Sequence, residues 1–163
     1  MTLLSYLLYF AVLVGLAWLL AVWMTRVYSG TLPSPLLRTE AALLRLGGSA
    51  PDRGLGWGGY ALAILVFNAT CFVVLYALLR AQGVLPLNPD GIGGMAPDLA
   101  FNTAVSFVTN TNWQAYSGEA QLSYLSQMAG LTVQNFVSAG TGMAVAVAVV
   151  RVFVAAKGSP LGN

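Results

Sequence analysis

An all-α membrane protein is the fold class this sequence predicts, and three observations carry the prediction. Of 163 residues, 58% are hydrophobic and 7% charged, whereas an ordinary soluble domain carries about 25% charged residues. Three stretches, Met1 to Thr25, Gly54 to Leu79 and Ala120 to Val150, hold no Asp, Glu, Lys or Arg, and each exceeds the roughly 20 residues a helix needs to cross the hydrocarbon of a bilayer. Between the second and third stretches lies a shorter apolar pattern that runs into a polar string. The expected arrangement is one spanning helix followed by two spans that enclose a re-entrant helix and loop.

The first span is expected over residues 1–25. No basic residue precedes its apolar run and no small-residue cleavage site precedes Arg26, so the segment reads as a permanent anchor rather than a removable leader. Residues 26–56 form a connecting loop in which Leu36 to Leu46, with Arg38, Glu40 and Arg45, reads as a short amphipathic helix. Pro33 and Pro35 open it, Gly47 and Gly48 close it, and its expected place is the membrane interface.

The second span is expected as a helix over 57–79, with Cys71 inside it as a small buried hydrophobe. After a turn-rich stretch from Pro86 to Pro97, a short helix is expected over 98–108, opened by Pro97 and Asp98. At 1.5 Å per residue that helix is only about 16 Å long and cannot cross a bilayer. The chain then passes through the polar residues 109–114 and returns by Tyr116, Ser117, Gly118 and Glu119 into a third span over 120–150, with a tail over 151–163. Non-helical backbone at membrane depth is tolerated only where protein or a water-filled cavity covers it.

All but one of the 7 basic residues lie in the 26–53 connection or after the third span, the exception being Arg80. The positive-inside rule therefore predicts an external N-terminus, a cytoplasmic 26–53 connection, an external 81–119 connection and a cytoplasmic C-terminus. Asn68 and Thr70 match a glycosylation signal, but their place inside a span argues against modification.

Several function classes are poorly supported. There is no His and a single Cys, and the acidic residues Glu40, Asp52, Asp90, Asp98 and Glu119 are scattered without a spaced carboxylate pair. No phosphate-binding loop is present, so the chain is expected not to be an enzyme, and ATP hydrolysis would have to come from a partner. The basic residues form no patch, which argues against nucleic acid as a ligand.

The informative segment is Thr109, Asn110, Thr111, Asn112, Trp113 and Gln114. Channels replace the hydration shell of a cation with rows of backbone carbonyls at the end of a short pore helix. Such a row requires alternation between right- and left-handed backbone, which glycine adopts at least cost and Asn next. Asn110 and Asn112, two apart, have the spacing of that alternation. On pattern alone an exposed polar turn between two hydrophobic segments is the favoured reading. The third span holds Gln127, Thr132, Gln134, Asn135, Ser138 and Thr141, which read either as a pore-lining face or as ordinary interhelical hydrogen-bonding groups. Ser138 to Gly142 add a small-residue surface suited to close packing or to a local break.

Phe101 to Glu119, FNTAVSFVTNTNWQAYSGE, and Leu122 to Gly142, LSYLSQMAGLTVQNFVSAGTG, closely resemble the first repeat of the KdpA family, the potassium-binding subunits of Kdp-type potassium-importing ATPases. LPLNP at Leu85 to Pro89 and the extra span ahead of the repeat agree with it. The resemblance implies the superfamily of potassium transporters, in which four membrane-pore-membrane repeats surround one pathway, here with residues 57–150 as the first of them. It implies that Asn110, Thr111 and Asn112 match the filter segment whose carbonyls bind potassium, with Thr109 at its inner end and Gln114 at an outer ion-binding position. It also implies potassium as the bound ion, the P-type ATPase subunit KdpB with KdpC and KdpF as partners, and a bacterial inner membrane as the location. A Trk or Ktr type uptake subunit shares the repeat but would be expected to show a filter glycine. The family continues through three further repeats beyond the position of Asn163, so one repeat alone is expected not to conduct, and a truncated non-conducting membrane fragment is the remaining alternative.

Overall fold

The computed structural model describes residues 3–46, 48 and 54–154, in two compact units, Met1–Asp52 and Arg53–Asn163. All regular elements described below are helices, and three of them are long and apolar enough to cross a membrane. The protein is an all-α, multi-pass membrane protein.

In the first unit, helix α1 (Leu3–Tyr28) has a mean hydropathy of 2.3 and runs beyond the last residue of its uncharged stretch to take in Arg26. Its end is closed locally: Ser29 N–H donates to the Thr25 carbonyl at 2.9 Å, Thr31 N–H donates to the Arg26 carbonyl at 3.0 Å, and Gly30 takes φ 68°. Helix α2 (Ser34–Leu46) begins two residues before the expected Leu36. Pro35 causes no loss there, because the first N–H groups of a helix have no intrahelical partner. Gly47 lies outside the described residues, and Gly48 turns the chain at φ 77°.

In the second unit, helix α3 (Trp57–Ala81) tightens into a single 3-10 turn, Gln82–Val84, giving a 28-residue apolar run of mean hydropathy 2.5. Helix α4 (Pro97–Val108) is the short helix, opened by Pro97 at its first position and by Asp98 in its first turn. A single-turn helix α5 (Gly118–Gln121) follows the polar loop and was not anticipated. The third span starts with a wide π-helical turn, Ser126–Thr132, and continues as α6 (Val133–Val154), the two together covering 29 residues at a mean hydropathy of 1.9.

The core of this unit is the cradle in which α4 sits. Ala100, Ala104 and Phe107 recur at the i, i+4, i+7 spacing of one helix face, and with Leu75, Leu79, Met95, Leu122 and Leu131 they make a buried apolar cluster. Phe72 crosses Phe101 edge-to-face at 5.4 Å and stacks on Tyr76 at 6.0 Å. Of the two readings of Ser138–Gly142, close packing or a local break, the break does not occur. Alpha-helix passes through Gly140 and Gly142, beside which an added Cβ would meet open space. The irregularity sits instead in the π turn, where Gly130 packs closely on Leu75 and Leu78.

A polar joint fixes the connection from α3 to α4. Gln82 is fully buried, and its amide donates to the carbonyls of Gly93 at 2.9 Å and Gln121 at 2.8 Å while its oxygen accepts from Ser123 N–H at 3.2 Å. Asn88 closes the intervening loop by donating to the Ile92 carbonyl at 2.8 Å and accepting from Ile92 N–H at 2.9 Å. Met95 N–H donates to the Leu79 carbonyl at 3.1 Å, and the Arg80 guanidinium donates to the Met95 carbonyl. The start of α4 is thereby tied to the end of α3.

Candidate functional site

Helix α4 ends at Val108, and the carbonyls of Val105, Ser106 and Phe107 in its last turn are satisfied by the loop that follows, the Thr109 hydroxyl included, at 2.9 Å from Val105 and 3.3 Å from Ser106. Thr109 N–H donates to Val105 at 2.9 Å, Asn110 N–H to Phe107 at 3.3 Å, and the N–H groups of Thr111 and Asn112 both to Ser106, at 2.9 and 3.2 Å. The consequence falls on the loop: with its N–H groups turned back onto the helix, its carbonyls are the oxygens left over. Among the described residues no hydrogen bond reaches the carbonyls of Thr109, Asn110, Thr111 or Asn112.

The backbone of this loop alternates in hand. Thr109 lies at φ −80°, ψ 0°, Asn110 at φ 58° and Asn112 at φ 57°. The left-handed residues are thus the two asparagines whose spacing suggested it, and Asn is the non-glycine residue best suited to that region. Their side chains brace the turn, Asn112 Nδ2 donating to Asn110 Oδ1 at 3.3 Å, while the hydroxyls of Thr109 and Thr111 share a hydrogen bond at 2.7 Å.

Residues Thr109 to Gln114 are exposed on the surface of the unit, so the strand is supported from one side and open on the other. No charged side chain occurs between Asp98 and Glu119. Gln114 stands outside the left-handed pair, beside Tyr116. Burial raises the Tyr116 pKa and the neighbouring Gln114 side chain lowers it in part, so the phenol stays protonated at neutral pH. The Tyr116 hydroxyl is buried and forms no hydrogen bond of normal geometry.

The supporting residues were missed by sequence reasoning. Ser106 Oγ, fully buried, donates to the Trp113 carbonyl at 2.9 Å, and the Trp113 indole N–H donates to Asn102 Oδ1 at 2.8 Å. Ser138 on α6 is buried and places its hydroxyl 3.3 Å from Asn110 Oδ1 and 2.8 Å from the Gln134 carbonyl. The polar residues of the third span therefore divide. Gln134 and Ser138 are buried, whereas Thr132 and Asn135 are exposed and Gln127 turns back to the Leu122 carbonyl at 3.2 Å.

Among known proteins, residues 7–163 match the family described as KdpA, the potassium-transporting ATPase A subunit. The chain is similar to a potassium-transporting ATPase potassium-binding subunit of Rhodospirillum centenum, 56% identical over 99% of this chain and 29% of the relative. Its counterpart in Sorangium cellulosum is 58% identical over 88% of this chain and 25% of the relative. That of Granulibacter bethesdensis is 58% identical over 82% and 24%. The chain thus spans about a quarter of the length of these curated relatives.

Proposed function

The chain belongs to the KdpA family of potassium-transporting ATPase A subunits, and on that premise we propose that it forms one wall of a potassium pathway, with Thr109 to Asn112 as the strand that takes up the dehydrating ion. The observation that carries this reading is the alternation at Asn110 and Asn112, φ 58° and 57°, in a loop whose N–H groups are spent on α4. A strand built in that way offers successive carbonyls to one side, which is the requirement for replacing a hydration shell with protein oxygens. Gln114 lies at the outer approach, where its amide oxygen can meet an ion still partly hydrated.

In the assembled transporter, potassium enters from the external face, is bound at this level and is passed on to a P-type ATPase subunit, which supplies the ATP hydrolysis. This chain contributes binding and no catalysis. The partners on this reading are KdpB, with KdpC and KdpF, and the three further repeats that complete the pathway. The membrane is the bacterial inner membrane, with the N-terminus outside and the C-terminus in the cytoplasm, an orientation supported by the side-to-side bias of the basic residues.

The test is Gln114→Arg in the full-length, reconstituted complex. Repulsion between two unit charges about 4 Å apart is roughly 4 kcal/mol at an effective dielectric of 20. Even after screening and side-chain retreat, a residual of about 1.4 kcal/mol weakens binding roughly tenfold. The half-saturating potassium concentration for ATP hydrolysis is expected to rise by at least that factor. An unchanged value in assembled complex would remove this loop from ion selection.

A further inference from the structure

The structure assigns Ser106 and Asn102, two α4 residues outside the Thr109–Asn112 strand, as positioning residues that grip Trp113 at both of its ends and thereby terminate the ion-facing strand at Asn112. The inference rests on the reading of that strand as the potassium ligand and adds the device that sets its length and holds its hand. Ser106 acts at three points. Its carbonyl accepts from the N–H groups of Thr111 at 2.9 Å and Asn112 at 3.2 Å, and its hydroxyl donates to the carbonyl of Trp113 at 2.9 Å. Ser106 itself is fully buried, so its hydroxyl is held against Trp113 by the packing of α4.

A carbonyl that accepts a hydroxyl proton is a poorer ligand for a cation, and Trp113 is thereby withdrawn from the row. The indole ring is 48% exposed, so packing alone does not fix it. Its N–H is anchored on Asn102 Oδ1 at 2.8 Å, one turn back along the same helix. Main chain and side chain of Trp113 are thus both referred to α4, which in turn is tied to α3 through Met95 and Leu79. If the grip at Trp113 is released, the left-handed residues 110 and 112 can relax toward ordinary backbone, and the spacing of the carbonyls is no longer dictated.

The experiment measures potassium-stimulated ATP hydrolysis by the full-length complex, recording half-saturating potassium, half-saturating rubidium and the maximal rate per assembled complex. Ser106→Ala is expected to raise half-saturating potassium by roughly two- to tenfold, the factor associated with the loss of one part-buried hydrogen bond. It should also narrow the difference between potassium and rubidium while the maximal rate changes less than about twofold, because a loosened site binds less well and selects less well but still turns over. Asn102→Ala and Trp113→Phe delete the same hydrogen bond, so each should raise half-saturating potassium and the double variant should raise it no further than the larger single effect.

Unchanged half-saturating potassium in assembled Ser106→Ala complex would overturn the assignment, and so would additive effects in the Asn102 and Trp113 pair. Should Ser106→Ala not assemble, that pair decides the matter by itself. Gln114→Arg in the same preparation separates the two levels. A shift there with none in Ser106→Ala rejects the grip alone, and no shift in either rejects the ion-binding strand beneath both.

Discussion

Asn110 and Asn112 hold a backbone conformation that costs most L-residues roughly 1–2 kcal/mol each. Asparagine at these positions lowers that cost and adds a cross-brace between the two amides. Asn110→Gly is therefore expected to leave the fold intact, Asn110→Ala to destabilise it by about 1 kcal/mol, and Asn110→Val by more because of its branched Cβ. The thermal midpoint of the detergent-solubilised full-length subunit should fall in that order, and an Ala variant as stable as Gly would contradict it. These two asparagines were legible in the sequence because dihedral preference is local. Ser106, Asn102 and Ser138 were not, since each meets the loop through a partner set by helix phase or by another span. Leu87, at φ 59°, had no residue-level signal either. Its conformation serves a distant contact, in which its carbonyl receives Tyr124 N–H at 3.1 Å.

Among the elements, the α3–α4 connection is the most demanding piece of construction. A Cβ on Gly94 would collide with the Arg80 carbonyl, a backbone atom that cannot rotate away. Gly94→Ala must therefore displace the start of α4, and the expected outcome is a markedly lower thermal midpoint together with weaker potassium stimulation. Gln82→Leu would leave the carbonyls of Gly93 and Gln121 and the N–H of Ser123 unpaired. The Ser123 N–H is buried, and at about 1–3 kcal/mol for a buried group left without a partner the change should be clearly destabilising. Thr70→Val is the comparison, because Thr70 bonds only to the Val66 carbonyl of its own helix at 2.8 Å, and it should shift the midpoint by a degree or so at most. The long helices were legible because absence of charge over 20 residues leaves few alternatives. The 3-10 extension, α5 and the π turn escaped because a single helical turn has too few residues to show a period, and what stabilises each is the Gln82 joint or the packing of Gly130 on α3.

At the scale of the whole molecule, the exposed strand and the exposed Asn135 face of α6 match a unit that contributes one side of a larger assembly, in keeping with the quarter or so of each relative that it covers. Reconstituted alone in vesicles, the chain is expected to give no potassium flux above empty vesicles, and flux from the isolated chain would contradict its role as a single wall. The orientation is open to a separate check. In a Cys71→Ser background, Ser29→Cys should react with a membrane-impermeant maleimide only after the cytoplasmic face is opened. Labelling from the external face would reverse the assignment of sides.

The π turn at Ser126–Thr132 gives the third span slack. Upstream of it, Ser123 is docked on Gln82, and downstream, Ser138 reaches Asn110. A π turn winds more residues into its length than an α-helix does, so it stores a spare residue between two fixed ends. Removing Ala129 should let the turn heal into α-helix with both ends still in place. The same loss at Phe67, in α3, would swing Tyr60 and Leu75 apart by about 100° around the helix axis. Deletion tolerance measured along the two spans should therefore peak at Ser126–Thr132, which marks the span as one able to gain or lose a residue in evolution without disturbing the asparagine strand.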